Sequence, residues 1–110
     1  MRILATTSGG CRVVTIIGSA DINASAPLRE ALLACLDAGH HRLVCDLRET
    51  DFICSDALGI LITAYLKARC RGGFLRLAGP DQHLREVLET TRLDRLFDVF
   101  PDVQQATEQP

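Results

Sequence analysis

Near its start the chain has two short apolar segments of the kind that form β-strands. The segment "RILAT", residues 2–6, predicts a short strand, and the β-branched run "CRVVTIIG", residues 11–18, predicts a longer one that ends at Gly18. The intervening "SGG" is a signal for a tight turn. We therefore predict that the chain opens with a β-hairpin.

A helical pattern follows in "APLREALLACLDAG", residues 26–39. Pro27 suits a first helical turn, the apolar residues recur at helical spacing, and Gly39 is a good helix terminator. Next, "RLVCDL", residues 42–47, is a compact apolar run typical of a central strand covered on both faces. It stops at "RETD", residues 48–51, which we predict to be a polar turn.

Two further pairs of elements complete the pattern. A second helix is predicted from Ser55 to about Arg71, followed by a glycine pair and the strand "FLRLAG", residues 74–79. Asp81 is a suitable N-cap for a short helix in "DQHLREVLETT". The order β-β-α-β-α-β-α predicts an α/β fold, with a mixed sheet of four or five strands and helices packed mainly on one side.

Composition limits the organisation and the classes of function. The 110 residues contain 47% hydrophobic residues, enough for one domain over residues 1–110, in which residues 101–110 are expected to form a weakly ordered tail. A formal charge of −2 with scattered basic residues argues against direct nucleic-acid binding. No apolar run reaches the roughly 20 residues of a membrane span, and the N-terminal residues lack the long apolar core of a secretory signal. We therefore expect a cytoplasmic protein without membrane insertion.

Cysteines and histidines give no sign of a metal or cofactor site. The five cysteines are odd in number and form no C-x-x-C pair, which is typical of free thiols in a reducing compartment. His40 and His41 lie beside a turn and His83 is distant, so none has a partner at ligand spacing. Ser55 has no local histidine or lysine to activate it. We predict neither bound metal nor cofactor, and no enzymatic activity.

The junction at Ser55 and Asp56 allows two interpretations. Both residue types favour a helix start, where their oxygens accept hydrogen bonds from first-turn amides, so the pair can be a plain helix cap. The same position favours a phosphate, because free amides and the positive end of the helix dipole attract negative charge. Spacing alone does not separate the cap from the phosphoacceptor.

The segment "CDLRETDFICSDALGILITAYLKARCRGGFLRLAGP" resembles the central signature of STAS domains, the family of bacterial anti-sigma factor antagonists and of sulphate-transporter C-terminal domains. In that family a strand leads through a turn to a phenylalanine, and a serine motif then opens a helix. The corresponding residues in this chain are Asp46, Leu47, Phe52, Ser55 and Gly59. The hairpin and the late segment "LETTRLDRLFDVFP" also match in position. The resemblance covers nearly the whole chain and implies the STAS fold.

The resemblance also implies a mechanism. The chain would bind an anti-sigma factor, usually a GHKL-type serine kinase, and so release a sigma factor. Phosphorylation at Ser55 would switch binding off, and a serine phosphatase would restore it. The implied binding surface combines the loop "SADIN" with the start of the second helix. It is centred on Asp21, Ile22, Asn23, Ser55, Asp56, Gly59 and Ile60.

Within this surface, Gly59 would allow close approach of a partner, and the two isoleucines would provide apolar contact. The alternative for Ile22 and Ile60 is incidental exposure or burial by a neighbouring loop.

Four positions depart from the family pattern, one of them Ser19, where the family often has an acidic residue after the second strand. Cys54 stands where the family has an acidic residue, Asp56 where it has a serine or threonine, and Ala57 where it has a glycine. These departures keep open a second function, that of a STAS subunit in a transport or lipid-trafficking ATPase complex that does not depend on phosphorylation. They also raise a redox role for Cys54 at the helix N-terminus, for which the alternative is an inert thiol.

Overall fold

The computed structural model describes residues 1–108, so the last two residues of the expected tail lie outside the described residues. The strands and helices within residues 1–108 are β1 (Arg2–Ser8), β2 (Cys11–Ala20), α1 (Ser25–Asp37), β3 (Arg42–Asp46), β4 (Thr50–Ile53), α2 (Ser55–Cys70), β5 (Phe74–Ala78), α3 (Gln82–Thr90), β6 (Val99–Phe100) and α4 (Val103–Glu108). Short 3-10 turns cover Ile22–Ala24 and Leu93–Arg95.

The strands form one mixed sheet, as the pattern predicted. Its main order is β1-β2-β3-β5-β6, in which β1 is antiparallel to β2 and the other neighbours are parallel. The opening hairpin is confirmed, and its two-residue turn at Gly9 and Gly10 has φ values of +57° and +78°. Such a turn requires positive φ at both central residues, which glycine adopts without steric cost.

Two short strands raise the number within the described residues to six, where four or five were expected. The strand β4 occupies part of the segment predicted as a polar turn, and it pairs with the last residues of β2, beyond the end of β3. The Thr50 hydroxyl is buried there and donates to the carbonyl oxygen of Ile16 at 2.7 Å. Asp51 and Phe52 are both exposed, so β4 lacks the alternation that identifies a strand in sequence.

The main core lies between the sheet and the helices α1, α2 and α3. Alternate residues of the central strands face these helices, among them Ile16, Leu43 and Leu77, all fully buried. From α2 the contribution includes Leu61, also fully buried. The expectation of helices mainly on one side of a mixed sheet is therefore confirmed.

The opposite face of the sheet is covered by the terminal helix α4. We expected a weakly ordered tail in this segment, but residues 103–108 are helical, and Ala106 is buried against Val13 and Val44. Arg76 explains this packing, because its guanidinium donates to the Ala106 carbonyl at 2.9 Å and stacks 3.7 Å from the ring centroid of Phe74. The polar composition of the tail concealed this anchor.

Candidate functional site

The candidate site lies at the carboxyl ends of the parallel strands, where β4 leads into α2. The Cys54 amide donates to the carbonyl oxygen of Ala20 at 2.9 Å, which joins the end of β4 to the end of β2. This bond holds the start of α2 beside the loop that leaves β2. Two segments more than thirty residues apart in sequence therefore form one surface.

Ser55 is the first residue of α2 and lies at the surface, but it is not the N-cap that one interpretation of the sequence required. Cys54 holds the N-cap position with extended backbone angles, and its side chain makes no capping hydrogen bond. The Leu58 amide already donates to the Cys54 carbonyl at 3.0 Å, so the helix begins one residue earlier than a Ser55 cap would allow. Within residues 1–108, the first-turn amides of α2 thus have no intrahelical partner and no side-chain cap.

The loop residues Asp21, Ile22 and Asn23 form the second part of the surface, and all three are exposed. The Asp21 carboxylate accepts the Asn23 amide at 3.0 Å and so caps the 3-10 turn that follows. Ile22 is 69% exposed, the highest value among the large hydrophobic side chains of the described residues. An apolar side chain held in the open by a capped turn is a good candidate for contact with a partner.

Gly59 and Ile60 lie along α2 at the edge of a groove of about 330 Å³ between α1 and α2. Gly59 is exposed, and a Cβ added to it would meet no atom within 4 Å. Ile60 is half-buried and packs against the edge of the main core. Of the two isoleucines, Ile22 is therefore free for contact and Ile60 partly belongs to the fold.

Four residues near the site were not assigned to the binding surface from the sequence. Phe52 is 45% exposed in β4 and pairs with Ser19, so it adds a second exposed apolar side chain next to the loop. Arg29, Leu33 and Lys67 line the groove between the helices together with Asp56. For Phe52 the available signal was its match to the phenylalanine of the family motif, whereas the groove residues depend on how α1 meets α2. We call the group of Asp21, Ile22, Asn23, Phe52, Ser55, Asp56, Gly59 and Ile60 the Ser55 surface.

A larger groove of about 770 Å³ runs between α1 and the edge strand β1. It contains Asp21 and Asn23 in its wall but not Ser55, Asp56 or Gly59. Its walls are largely alanine and aliphatic side chains from α1 and β1. This larger concavity is therefore separate from the start of α2.

Beneath the site end of the sheet lies a buried charge, Asp46, at the end of β3. Burial alone would raise the pKa of this carboxyl, but hydrogen bonds outweigh it and lower the pKa below its ordinary value. The Arg48 guanidinium donates two bonds of 2.9 Å, and the Thr15 hydroxyl donates another of 3.2 Å. The carboxylate fixes the turn between β3 and β4, which in turn sets the position of α2.

The thiols of Cys45 and Cys54 differ in how deeply they are buried. Cys45 is fully buried in β3, and burial, with smaller effects from Cys35 and Asp46, raises its pKa to about 12. Such a thiol stays protonated and unreactive at neutral pH. Cys54 is half-buried at the start of α2, and a redox role for it stays a prediction.

The lengths of the helices and the grouping of side chains concern membrane insertion and metal binding. Within residues 1–108, none of the helices combines the length and the apolar character needed to cross a lipid bilayer. In the same range, no three histidine, cysteine, aspartate or glutamate residues are grouped in a way that would hold a metal ion.

Comparisons with known proteins agree with this geometry. The STAS domain family model matches residues 2–106. A candidate anti-sigma factor antagonist of Thermotoga maritima is 27% identical over 74 residues, 67% of this chain and 66% of that protein, so the match spans just under two thirds of the relative. The anti-sigma-B factor antagonist of Bacillus subtilis is 26% identical over 86 residues, 78% of each chain.

A solved structure extends the likeness to the whole fold. The crystal structure of an anti-sigma factor antagonist from Mycobacterium paratuberculosis superposes with a TM-score of 0.86 at 27% identity, and covers 96% of this chain and 89% of that one. The mixed sheet and its helices thus have the arrangement of a solved relative.

Proposed function

Because this chain belongs to the STAS domain family, we propose that it is an anti-sigma factor antagonist whose binding is controlled by phosphorylation of Ser55. It binds an anti-sigma factor, a serine kinase of the GHKL type, through the Ser55 surface and so releases a sigma factor. A serine phosphatase returns the modified protein to the binding state. The names of its relatives support the general role.

The observation that carries the proposal is the state of Ser55. Its side chain lies at the first position of α2, and the N-cap residue before it makes no side-chain cap. A kinase can therefore reach the hydroxyl without unfolding the helix. A phosphate added there meets free first-turn amides and the positive end of the helix dipole, so the fold tolerates it.

Binding and its loss have separate physical causes. Ile22 and Phe52 offer exposed apolar area, and the open space at Gly59 lets a partner approach the helix backbone. A phosphate adds about −1.5 to −2 charges beside Asp56 in the middle of this surface. Desolvation and like-charge repulsion then oppose the partner while the core is unchanged.

The departures from the family pattern differ in whether they change the core or the surface. Ala57 is fully buried, so replacing the family's glycine there changes packing and not the surface. Asp56 is exposed and keeps a carboxylate beside Ser55, on its other side. A kinase for this protein must therefore accept an acidic residue after the serine and Cys54 before it.

The test compares phosphorylation and binding in one set of variants. The protein is incubated with its candidate kinase and ATP, and added phosphate is located by peptide mass. Ser55→Ala should bind the kinase at the unmodified level, and since Ser55 is not a cap its stability should change by no more than about 0.5 kcal/mol. Ser55→Asp should bind about tenfold more weakly, through repulsion and desolvation at the interface.

Thr90→Asp is the matched control, because it adds the same charge on α3, outside the Ser55 surface. It should bind as the unmodified protein does. Absence of phosphate on Ser55, together with full binding by Ser55→Asp, would reject the switch. That result would favour a phosphorylation-independent docking subunit of a transport or lipid-trafficking ATPase complex.

A further inference from the structure

A third concave site lies at the opposite end of the sheet from Ser55. It has a volume of about 300 Å³ and sits where the β1–β2 turn meets the loops that follow α1 and α2. Its side chains are two histidines and two arginines, and its other lining residues are glycines. No aspartate or glutamate from residues 1–108 lines it. We call this site, formed by His40, His41, Arg42, Arg71 and the surrounding glycines, the basic pocket.

The positive charge of the basic pocket exceeds what the helix ends require. The carbonyl oxygen of Leu36 at the end of α1 accepts the Gly39 amide at 3.0 Å, and the Ala68 carbonyl near the end of α2 accepts the Gly73 amide at 2.8 Å. Arg71 adds one bond of 2.9 Å to the Leu36 carbonyl. Backbone donors and one arginine therefore already offset the negative helix ends. The charge of Arg42 is not needed for that purpose.

Arg42 lies beside an aromatic ring and forms no salt bridge within residues 1–108. Its guanidinium carbon lies 5.4 Å from the centroid of the Phe74 ring, within the range of a cation–π contact. The side chain is exposed. Since none of the described acidic side chains forms a salt bridge with Arg42, its planar guanidinium is suited to bidentate binding of an oxyanion.

His41 supplies an independent observation. It is half-buried, and its Nδ1 atom is buried without a hydrogen-bond partner among the described residues. A buried polar atom without a partner costs free energy, and native structures keep few of them. A phosphate oxygen that reaches this nitrogen would supply the missing hydrogen-bond partner.

The glycines keep the wall of the pocket open. Gly39 and Gly72 have φ values of +91° and +79°, and a Cβ on either would meet no atom within 4 Å. No side chain therefore hinders the approach of a ligand to the backbone there.

We propose that the basic pocket binds a phosphate-bearing molecule through Arg42, Arg71 and His41. The charge and the planar donors select an oxyanion, and the volume lies at the lower end of the range of small-molecule sites, enough for a phosphate or diphosphate group. The group can belong to a soluble molecule or to the head group of an anionic lipid. The site lies away from the Ser55 surface and does not depend on the anti-sigma role.

The first experiment titrates pyrophosphate, and separately ATP, into isotope-labelled protein and follows the amide resonances. We expect shifts concentrated at Gly39, Gly72 and the neighbouring loop residues. Arg42→Gln should weaken binding about tenfold, the effect of losing one charged hydrogen-bonding group. Arg95→Gln removes the same charge from an exposed position outside the pocket and should bind as the unchanged protein does.

A second arm identifies the source of the phosphate. The protein is sedimented with phosphatidylcholine vesicles with and without phosphatidylglycerol. Binding to the anionic vesicles that Arg42→Gln abolishes and Arg95→Gln retains would support a lipid head group, whereas binding of pyrophosphate or ATP alone would support a soluble ligand. Binding in neither arm, shifts elsewhere in the protein, or equal loss in the two variants would overturn the proposal. Circular dichroism of each variant separates loss of binding from loss of fold.

Discussion

The two ends of helix α2 meet the sheet in opposite ways. At its start the N-cap residue Cys54 makes no side-chain cap, and the neighbouring Ile22 is exposed to solvent. At its end the backbone amides of Gly72 and Gly73 donate to the last carbonyls, and Gly73 lies tightly against His41. The closed end stabilises the fold, and the open end leaves donors and apolar area for a partner. The proposed partner surface therefore lies at the end where the fold itself makes fewer hydrogen bonds.

The largest change in stability should come from adding a side-chain atom at Gly73, where neighbouring atoms leave no room for one. A Cβ on Gly73 would overlap the carbonyl oxygen of His41, which also accepts the Phe74 amide. Gly73→Ala should therefore displace β5 from β3 and lower the free energy of unfolding by about 3 kcal/mol. Denaturant unfolding measures this value. Unchanged stability would mean that the end of α2 is not closely packed against His41.

The second effect tests the open end. Gly59→Arg places a bulky cation in free space on the Ser55 surface, so the fold should be retained while the affinity for the anti-sigma partner falls about 100-fold. Titration calorimetry measures the affinity, and thermal unfolding checks the fold. Thr90→Arg, which adds the same side chain on α3, should bind normally. Full affinity of Gly59→Arg would remove this part of α2 from the interface.

A third test concerns the buried charge at the site end. Asp46→Asn places an amide N–H donor next to the donors of Arg48 and Thr15. It should lower the free energy of unfolding by about 2 kcal/mol at pH 7. Because the pKa of Asp46 is lowered in the folded state, the carboxylate's contribution to stability is fully present above the ordinary aspartate pKa, about 3.9. The contribution is lost as the pH falls through the folded pKa.

Unfolding free energies measured from pH 7 to pH 2.5 should therefore converge for the two proteins at the acidic end. A constant difference across that range would show that the Asp46 carboxylate does not stabilise the fold through its charge.

The smallest effect returns to Gly59. The space around it is open and it lies in a helix interior, so Gly59→Ala should stabilise the protein by about 0.5–1 kcal/mol through higher helix propensity. The same substitution thus has opposite signs at the two ends of α2. Destabilisation by Gly59→Ala, measured beside Gly73→Ala, would contradict the comparison.

Local signals in the sequence were sufficient for much of the fold. The hairpin followed from β-branched residues around two glycines, and both long helices followed from apolar spacing ended by glycine. The short strand β4 was missed because half of it faces solvent, and the helix α4 because its anchor, Arg76, lies some thirty residues earlier. Residues whose structure depends on a distant partner carry no local signal.

The candidate site, too, could be predicted only in part from the sequence. Ser55 and the loop at Asp21 were identified from residue types and from the family resemblance, and whether they act as proposed stays a prediction. The sequence could not show that Cys54 is the N-cap and Ser55 the first helical residue. The two residues are adjacent, and sequence signals do not define a helix boundary to a single residue.

By itself the sequence determined the kinds of element, their order, and the serine at the start of α2, since propensity, apolar periodicity and turn residues act over a few neighbours. Only the tertiary structure decided that Phe52 is exposed beside Ile22, that a groove opens between α1 and α2, and that four basic side chains meet at the far end. These features join segments distant along the chain. Their geometry depends on how the elements pack on the sheet, which short-range preferences do not specify.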